Sequence, residues 1–171
     1  MEANEEVYEA FSRYGSGLTL VGVRDGDHDR FFIAASVMTA SVDPFALAVS
    51  VGSGRDALPS MASGASWTLS VLATAHRGLV EELTRDSSRE ERLMALGAAG
   101  AEASSSGGLW LPDALAAFTC RTSSVTPVHD QTLVVGEVVD ASLGTSSAPL
   151  LRWNRAFGTA GPLVSRSVTP G

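Results

Sequence analysis

The sequence predicts a small closed β-barrel that carries a few short helices. Apolar, β-branched runs recur along the chain, and clusters of Gly, Pro, Asp and Ser separate them at short intervals. Segments with helical periodicity are few and short. A parallel α/β sheet would need regular alternation of strands and helices, which an early hairpin and a long strand over residues 132–143 disfavour. The 171 residues fit one domain, predicted to span 1–171.

The first third of the chain predicts one helix and three strands. Residues 5–14 predict a helix because Val7, Ala10, Phe11 and Tyr14 form an apolar stripe. An Asp- and Gly-rich turn at residues 25–29 then joins two strands of a hairpin. A nearly unbroken apolar run after Pro44 is typical of a buried strand. The predicted strands are residues 18–24, 30–37 and 45–51.

The rest of the chain predicts three more helices and four more strands. The helices are predicted at residues 55–63, 75–85 and 89–99. The strands are predicted at residues 66–72, 114–125, 132–143 and 150–157. The Ser- and Gly-rich residues 100–108 predict a flexible loop, and residues 158–171 predict a tail.

Composition and charge exclude several classes of function. The chain has 19 acidic residues against 12 Lys and Arg, a formal net charge of -7. Binding of nucleic acid or of an anionic membrane surface needs clustered cations, so neither partner is expected. The single cysteine, Cys120, cannot form an intramolecular disulfide. The acidic N-terminus does not resemble a signal peptide and no apolar stretch is long enough to span a bilayer, so we expect a cytoplasmic protein.

Common enzyme motifs do not occur in the sequence. It has neither a phosphate-binding Gly-x-x-x-x-Gly-Lys-Ser/Thr loop nor a Gly-x-Gly-x-x-Gly segment that opens a helix. It also lacks a Gly-x-Ser-x-Gly nucleophile turn. The three histidines are scattered and no second cysteine accompanies Cys120, so no metal site is expected.

Several short stretches follow one another in an order that carries a family resemblance. The most specific are the Ser-x-Asp-Pro turn that begins at Ser41 and the Thr-Leu-Val-Val-Gly-Glu-Val run that begins at Thr132. The remaining stretches are residues 11–14, 17–21, 34–36, 47–51, 58–59, 67–72, 114–120 and 149–152. Together they resemble the flavin reductase-like, FMN-binding split-barrel family, which includes the short reductase components of two-component monooxygenases. The resemblance covers roughly residues 11–155.

The resemblance implies a mainly β fold, a six-stranded Greek-key split barrel with short helices, normally assembled as a homodimer. FMN, or alternatively FAD, would bind in a groove between the two subunits, and NAD(P)H would be the co-substrate. The implied activity is that of an NAD(P)H:flavin oxidoreductase whose reduced flavin can pass to a partner monooxygenase. The hydride chemistry belongs to the cofactors, and the protein holds them.

The same resemblance assigns candidate site residues. The flavin would contact residues in the second half of the strand predicted at residues 30–37 and residues in and around the loop after the third strand, namely Ile33, Ala34, Ala35, Ser36, Val51, Ser53, Gly54, Arg55 and Ala57. Arg55 is the candidate phosphate ligand, since a guanidinium can bind phosphate in a bidentate manner. His129 and Gln131 are the candidates for a role near the hydride transfer.

The sequence also departs from the family pattern. Hydroxyl residues that usually contact flavin are replaced by Ile33 and Ala35, and those of the phosphate loop by Arg55 and Ala57. Gln131 stands where the family often has His. A second hypothesis therefore stays open, in which the chain is a degenerate split-barrel dimer that binds another ligand without catalysis.

Overall fold

The computed structural model describes residues 2–145 and 148–161 and has a mainly β architecture. Its four α-helices are α1 (Glu2–Ser12), α2 (Leu58–Ala62), α3 (Arg77–Thr84) and α4 (Arg89–Ala98), and a 3₁₀ turn spans Thr74–His76. The strands of the first half are β1 (Ser16–Gly17), β2 (Thr19–Asp25), β3 (His28–Ala34), β4 (Val37–Val42), β5 (Phe45–Gly52) and β6 (Ser66–Val71). Those of the second half are β7 (Glu102–Ala103), β8 (Leu109–Trp110), β9 (Ala116–Val128), β10 (Gln131–Leu143), β11 (Leu151–Trp153) and β12 (Ala156–Gly158).

A seven-stranded antiparallel sheet forms the body of the fold, in the order β3-β2-β6-β9-β10-β5-β4. The two edge strands, β3 and β4, are consecutive in the chain and only Ala35 and Ser36 join them. The chain therefore leaves the sheet at one edge and re-enters at the other. Counted as one bent strand, β3 and β4 give the six strands predicted, and the sheet curls into a split β-barrel.

The barrel interior is filled by the inward-facing residues of alternate strand positions. Trp67 is fully buried at its centre, and its Nε1 donates to Thr122 Oγ1 at 3.0 Å. Gly136 on β10 faces this indole so closely that no larger residue fits between β10 and Trp67. The apolar side chains that complete this core are Val21, Val23, Phe32, Val49, Val51, Met61, Leu69 and Val134.

A second apolar cluster lies where α3 and α4 cover the outside of the sheet. Phe31 of β3 packs there with Leu79, Val80, Leu83 and Leu96. His76 is buried beside it, where Nδ1 accepts from the Ala73 N–H at 3.0 Å and Nε2 lies 3.1 Å from Asp113 Oδ1. The helices α3 and α4 therefore cover and stabilise the face of the barrel where β2 and β3 lie.

Residues 100–108, predicted as a loop without strands, form part of a short antiparallel ribbon. β7 pairs with β8, and the turn between them brings Gly108 against the backbone of Gly22. Thr68 Oγ1 holds this ribbon on the barrel by donating to Leu109 O at 2.6 Å. Two glycines in contact allow two backbones to approach at a distance that any Cβ would prevent.

The C-terminal part also differs from the prediction. Residues 150–157, predicted as one strand, are two strands, β11 and β12, that turn at Asn154 and Arg155. With β1 they form a separate three-stranded sheet in the order β1-β11-β12. Most of the predicted tail, from residue 162 onward, lies outside the described residues. In the part of the chain described, none of the helices is both long and apolar enough to cross a membrane.

Candidate functional site

A deep open groove of about 1330 Å³ separates the barrel from α1 and the β11–β12 hairpin. One wall is the barrel surface at the β3–β4 bend, and the other is formed by α1, β1 and the hairpin. Apolar side chains dominate the barrel wall, which is formed by Ala35, Val37, Met38, Ala48 and Leu133 together with Ser36 and Ser50. A concave, largely apolar site with a few polar groups is the usual form of a cofactor site.

Strand periodicity explains which residues of β5 face the groove. Ala48 and Ser50 line it, whereas Val49 and Val51 point into the barrel core. Successive side chains of a strand lie on opposite faces, so Gly52 lies on the same face as Ser50. The row therefore ends in a residue without a side chain, and the Cγ of Arg55 lies beside that position, 3.7 Å from where a Cβ of Gly52 would be.

Three polar residues, one from the β3–β4 link and two from strands β5 and β10, meet at the barrel wall. The Ser50 N–H donates to Ser36 O at 3.0 Å, which fixes the β3–β4 bend against β5. Ser50 Oγ lies 3.5 Å from Gln131 Oε1, and Gln131 Nε2 donates to Asp130 Oδ2 at 3.2 Å. Ser36 and Gln131, both predicted from the sequence, are therefore brought together, with Ser50 between them.

The loop after β5 holds the predicted phosphate ligands in an ordered turn. Ser53 N–H donates to Asp130 O and Arg55 N–H donates to Gly52 O, each at 2.9 Å. Those two N–H groups are therefore occupied, whereas the N–H of Gly54 between them has no backbone acceptor among the described residues. The Ser53 hydroxyl is 3.3 Å from Thr132 Oγ1.

Arg55 is exposed and stacks on the ring of Phe32, with its guanidinium carbon 5.1 Å from the ring centroid. Asp56 pairs with Arg30 instead, at 3.1 Å between Oδ2 and Nη1. Arg55 forms no ion pair with any residue that the structure describes, so its charge is available to an anion. Cation–π stacking orients the guanidinium without neutralising it.

Four of the predicted flavin contacts have side chains that do not line the groove. Ala34, Val51 and Ala57 are buried in the barrel core. Ile33 packs against the second apolar cluster. His129 lies exposed in the β9–β10 turn with a φ of 53°, and it does not line the groove. Gln131 does not line the groove either, but unlike His129 it contacts a residue of the barrel wall, since its Oε1 lies 3.5 Å from Ser50 Oγ.

Sequence reasoning missed the opposite wall entirely. Ala10, Phe11 and Tyr14 of the predicted N-terminal helix stripe line the groove together with Tyr8, as do Arg152 and Arg155 from the far end of the chain. The apolar stripe indicated a helix but not what it faces. Nothing in the local sequence indicated that the hairpin folds back beside α1, where Asn154 N–H donates to Ser12 O at 2.7 Å.

Titratable groups of the described residues give no metal centre. No group of three or more His, Cys, Asp or Glu side chains among them could hold a metal ion. Cys120 is buried beside Gly136 in the barrel, and burial raises the pKa of its thiol to about 12. A thiol with that pKa is neutral and unreactive at physiological pH, so Cys120 is a core residue.

The fold and the groove define a split β-barrel protein with a large apolar cofactor-type site, and comparison with known proteins gives the family. The chain matches the Flavin reductase like domain family over residues 11–161, and it belongs to that family. It is 29% identical over 153 residues to the reductase component of 4-hydroxyphenylacetate 3-monooxygenase from Thermus thermophilus, covering 90% of this chain and 94% of that protein. It is 30% identical over 148 residues to an NADH:riboflavin 5'-phosphate oxidoreductase from Streptomyces pristinaespiralis, covering 86% of this chain and 82% of that protein.

Solved structures agree on the fold. The NADH:FAD oxidoreductase of Streptomyces globisporus, crystallised with NAD and FAD fragments, superposes with a TM-score of 0.83 at 19% identity, covering 94% of each chain. The split-barrel prediction is therefore confirmed.

Proposed function

We propose that this chain is an NAD(P)H-dependent flavin reductase that binds FMN in the groove beside the β3–β4 bend. The observation that carries the proposal is the groove itself, about 1330 Å³ in volume and walled by small apolar residues on the barrel side. It occurs in a chain that belongs to the flavin reductase family. Relatives named as NADH-dependent FMN reductases support both the flavin and the nicotinamide nucleotide.

The residues present fit a flavin. Ala35, Ala48 and Leu133 offer a flat apolar surface against which a tricyclic ring can stack. Gly52 then leaves the β5 backbone open, and beyond it the unneutralised Arg55 and the free N–H of Gly54 suit a phosphate. A charge-assisted hydrogen bond of this kind contributes about 1.5–3 kcal/mol, enough to offset the lost hydroxyl contacts at Ile33 and Ala35. FAD fits the same argument, because residues 53–56 are exposed and its additional phosphate would have room beyond Arg55.

The flavin supplies the ring that accepts the hydride from NAD(P)H. The protein's part is to bind the flavin, to orient its ring and to shield one face of the ring from water. The apolar barrel wall excludes water from one face of the ring, while the open side of the groove leaves the other face accessible. We propose that Ser36 and Gln131 supply polar contacts to the ring edge, because both adjoin Ser50 at the wall. His129, which is exposed in the β9–β10 turn and does not line the groove, serves as a turn residue.

We propose that the working form is a homodimer. Four adjacent strands, β9, β10, β5 and β4, expose large apolar side chains to solvent, namely Val125, Val128, Val139, Leu143, Phe45, Met38 and Val42. Several large apolar side chains exposed on neighbouring strands are typical of an interface. In a dimer of this kind the groove would lie next to the second subunit.

The reduced flavin has a proposed destination in a partner monooxygenase. This follows from relatives named as reductase components of two-component systems, among them the one from Thermus thermophilus. The cytoplasmic location predicted from the sequence stays a prediction.

The second hypothesis, a non-catalytic binding module, requires that the flavin site be lost. The feature that would have favoured it is a groove filled by Ile33, but Ile33 packs behind the β3–β4 bend in the second apolar cluster. The barrel wall therefore keeps room for a ring, and the reductase is the better supported function.

The decisive experiment mixes the purified protein with NADH and FMN and follows loss of the NADH absorbance. We expect NADH oxidation that depends on both protein and flavin, and quenching of FMN fluorescence at micromolar protein. A colourless protein that neither quenches FMN nor oxidises NADH would eliminate the reductase in favour of the binding module.

A further inference from the structure

Arg152 and Arg155 are the only charged side chains that line the groove in the part of the chain that the structure describes. The chain as a whole carries a formal net charge of -7, so a wall with two cations and no carboxylate contrasts with the rest of the molecule. Both arginines lie on the β11–β12 hairpin, opposite the apolar barrel wall. Such a local reversal of charge is the signature of a site for an anion.

The hairpin holds these arginines in fixed positions. Arg152 is the central residue of β11 and pairs with Ser16 on one side and Phe157 on the other. Arg155 lies in the turn with a φ of 63°, next to Asn154 with a φ of 49°. Non-glycine residues seldom adopt this left-handed conformation, and it persists at ligand sites where the surroundings enforce it. Trp153 Nε1, which donates to Arg13 O at 3.1 Å, anchors the turn to the end of α1.

Both guanidinium groups are available to a ligand. Arg152 forms no ion pair with any residue of the described segments. Arg155 has one partner, Glu9, at 3.4 Å, but that carboxylate is already bound by Arg13 at 2.8 Å. An exposed, shared ion pair of this kind contributes little, so an incoming anion can displace or join it.

The size of the groove leaves room for more than the flavin. Sites for a single drug-sized ligand measure roughly 300–1,000 Å³, and this groove measures about 1330 Å³. Arg55, the proposed ligand of the flavin phosphate, lies beyond the Gly52 end of β5 and does not line the groove. The hairpin arginines are therefore a second cationic site, on the wall of the groove opposite the barrel.

We infer that Arg152 and Arg155 bind the pyrophosphate of the nicotinamide nucleotide and so position its nicotinamide over the exposed face of the flavin. This inference rests on the proposed reductase function. Because the pyrophosphate is common to both nucleotides, the pair serves NADH and NADPH equally. The arginines are positioning residues that touch the co-substrate and not the reacting atoms.

The test compares Arg152→Gln and Arg155→Gln with the wild type in steady-state kinetics with NADH and with NADPH at saturating FMN. Each variant is expected to raise the KM for both nucleotides about tenfold, the loss of one charge-assisted bond to phosphate. The kcat and the dissociation constant of FMN should stay unchanged. Calorimetric titration of NAD⁺ into the FMN-loaded protein should show the same weakening. Arg85→Gln, an exposed arginine paired with Glu82 outside the groove, is the matched control and should change nothing.

A change of opposite sign gives an independent check. Glu9→Gln frees Arg155 and is expected to lower the KM for NADH about two- to threefold. A wild-type KM in both arginine variants, with the wild type active, would overturn the inference and leave the reductase function standing. An effect confined to NADPH would also overturn it, since that would assign the arginines to the 2'-phosphate. A wild type that does not oxidise NADH with FMN would instead end the proposed function, and this inference with it.

Discussion

Asp56 directs its carboxylate to Arg30, 3.1 Å away, and not to its neighbour Arg55. The sequence alone could not decide this, because an acid next to a phosphate-binding arginine can either neutralise it or turn away. The pairing with Arg30 on β3 leaves Arg55 stacked on Phe32 with its charge unneutralised. The proposed flavin phosphate site depends on that arrangement.

Arg55→Ala should therefore weaken FMN binding by about tenfold or more, since it removes a charge-assisted contact to the phosphate. Riboflavin, which lacks the phosphate, should bind the variant as well as it binds the wild type. Fluorescence quenching measures both affinities. If the variant loses the same affinity for FMN and for riboflavin, Arg55 acts on the ring or on the fold. If the variant binds FMN as tightly as the wild type does, Arg55 is not part of the site.

Ser36→Tyr should block the ring itself. Ser36 is exposed on the barrel wall, so a large side chain there fills the groove without entering the core. FMN and riboflavin should both lose at least about tenfold in affinity, because the apolar stacking surface is covered. The thermal midpoint of the apoprotein should stay within a few degrees of the wild type. Retained binding of either flavin would show that the ring lies elsewhere.

Gly136→Ala should destabilise the barrel by about 1–3 kcal/mol, the usual effect of overpacking a filled core. The added Cβ would press on the indole of Trp67 and on the Cβ of Cys120. Urea unfolding monitored by fluorescence measures the free energy. Gly97→Ala is the matched control, because Gly97 lies in α4 with no atom near its Cβ position. That change should stabilise the protein by about 0.5–1 kcal/mol.

Cys120 should resist thiol reagents in the folded protein and react fully after unfolding. Burial raises the pKa of its thiol from 9.0 to about 12, so the thiolate is scarce at neutral pH. The unfolded chain ionises first, so this group's contribution to stability is complete below pH 9 and is lost as the pH rises towards 12. Rapid labelling of the native protein at neutral pH would contradict the buried position.

Much of the fold could be predicted from local patterns. The apolar runs placed β2, β5, β6, β9 and β10 to within a few residues. A strand buried on one face has alternating apolar residues, and a strand buried on both faces has a continuous apolar run, so both can be recognised in the sequence. Residues 30–37 were predicted as one continuous strand. The bend between β3 and β4 falls at Ala35 and Ser36, and neither Gly nor Pro occurs there to indicate it. The bend follows from tertiary structure, because the chain must change direction there for β4 to pair with β5.

The candidate site could be predicted only in part, for the same physical reason. Ser36, Arg55 and Gln131 were found because they lie on or beside the strands that carry the family resemblance. The two arginines of the β11–β12 hairpin were not assigned to the site. The turn of this hairpin is made by Asn154 and Arg155 without a glycine, and the positive φ values of these two residues depend on contacts with α1. Residues drawn together by long-range packing leave no periodic signal in the chain.

The two-residue link between β3 and β4 has a consequence for how this protein can change over evolutionary time. Ala35 and Ser36 join the two edge strands of the sheet and also line the groove. A mutation at either residue can therefore affect both folding and ligand binding. The β11–β12 hairpin lies outside the seven-stranded sheet, so a change in one of its exposed side chains leaves the barrel itself intact. Changes in affinity for the nucleotide donor should therefore arise first in the hairpin, while the link between β3 and β4 stays as it is.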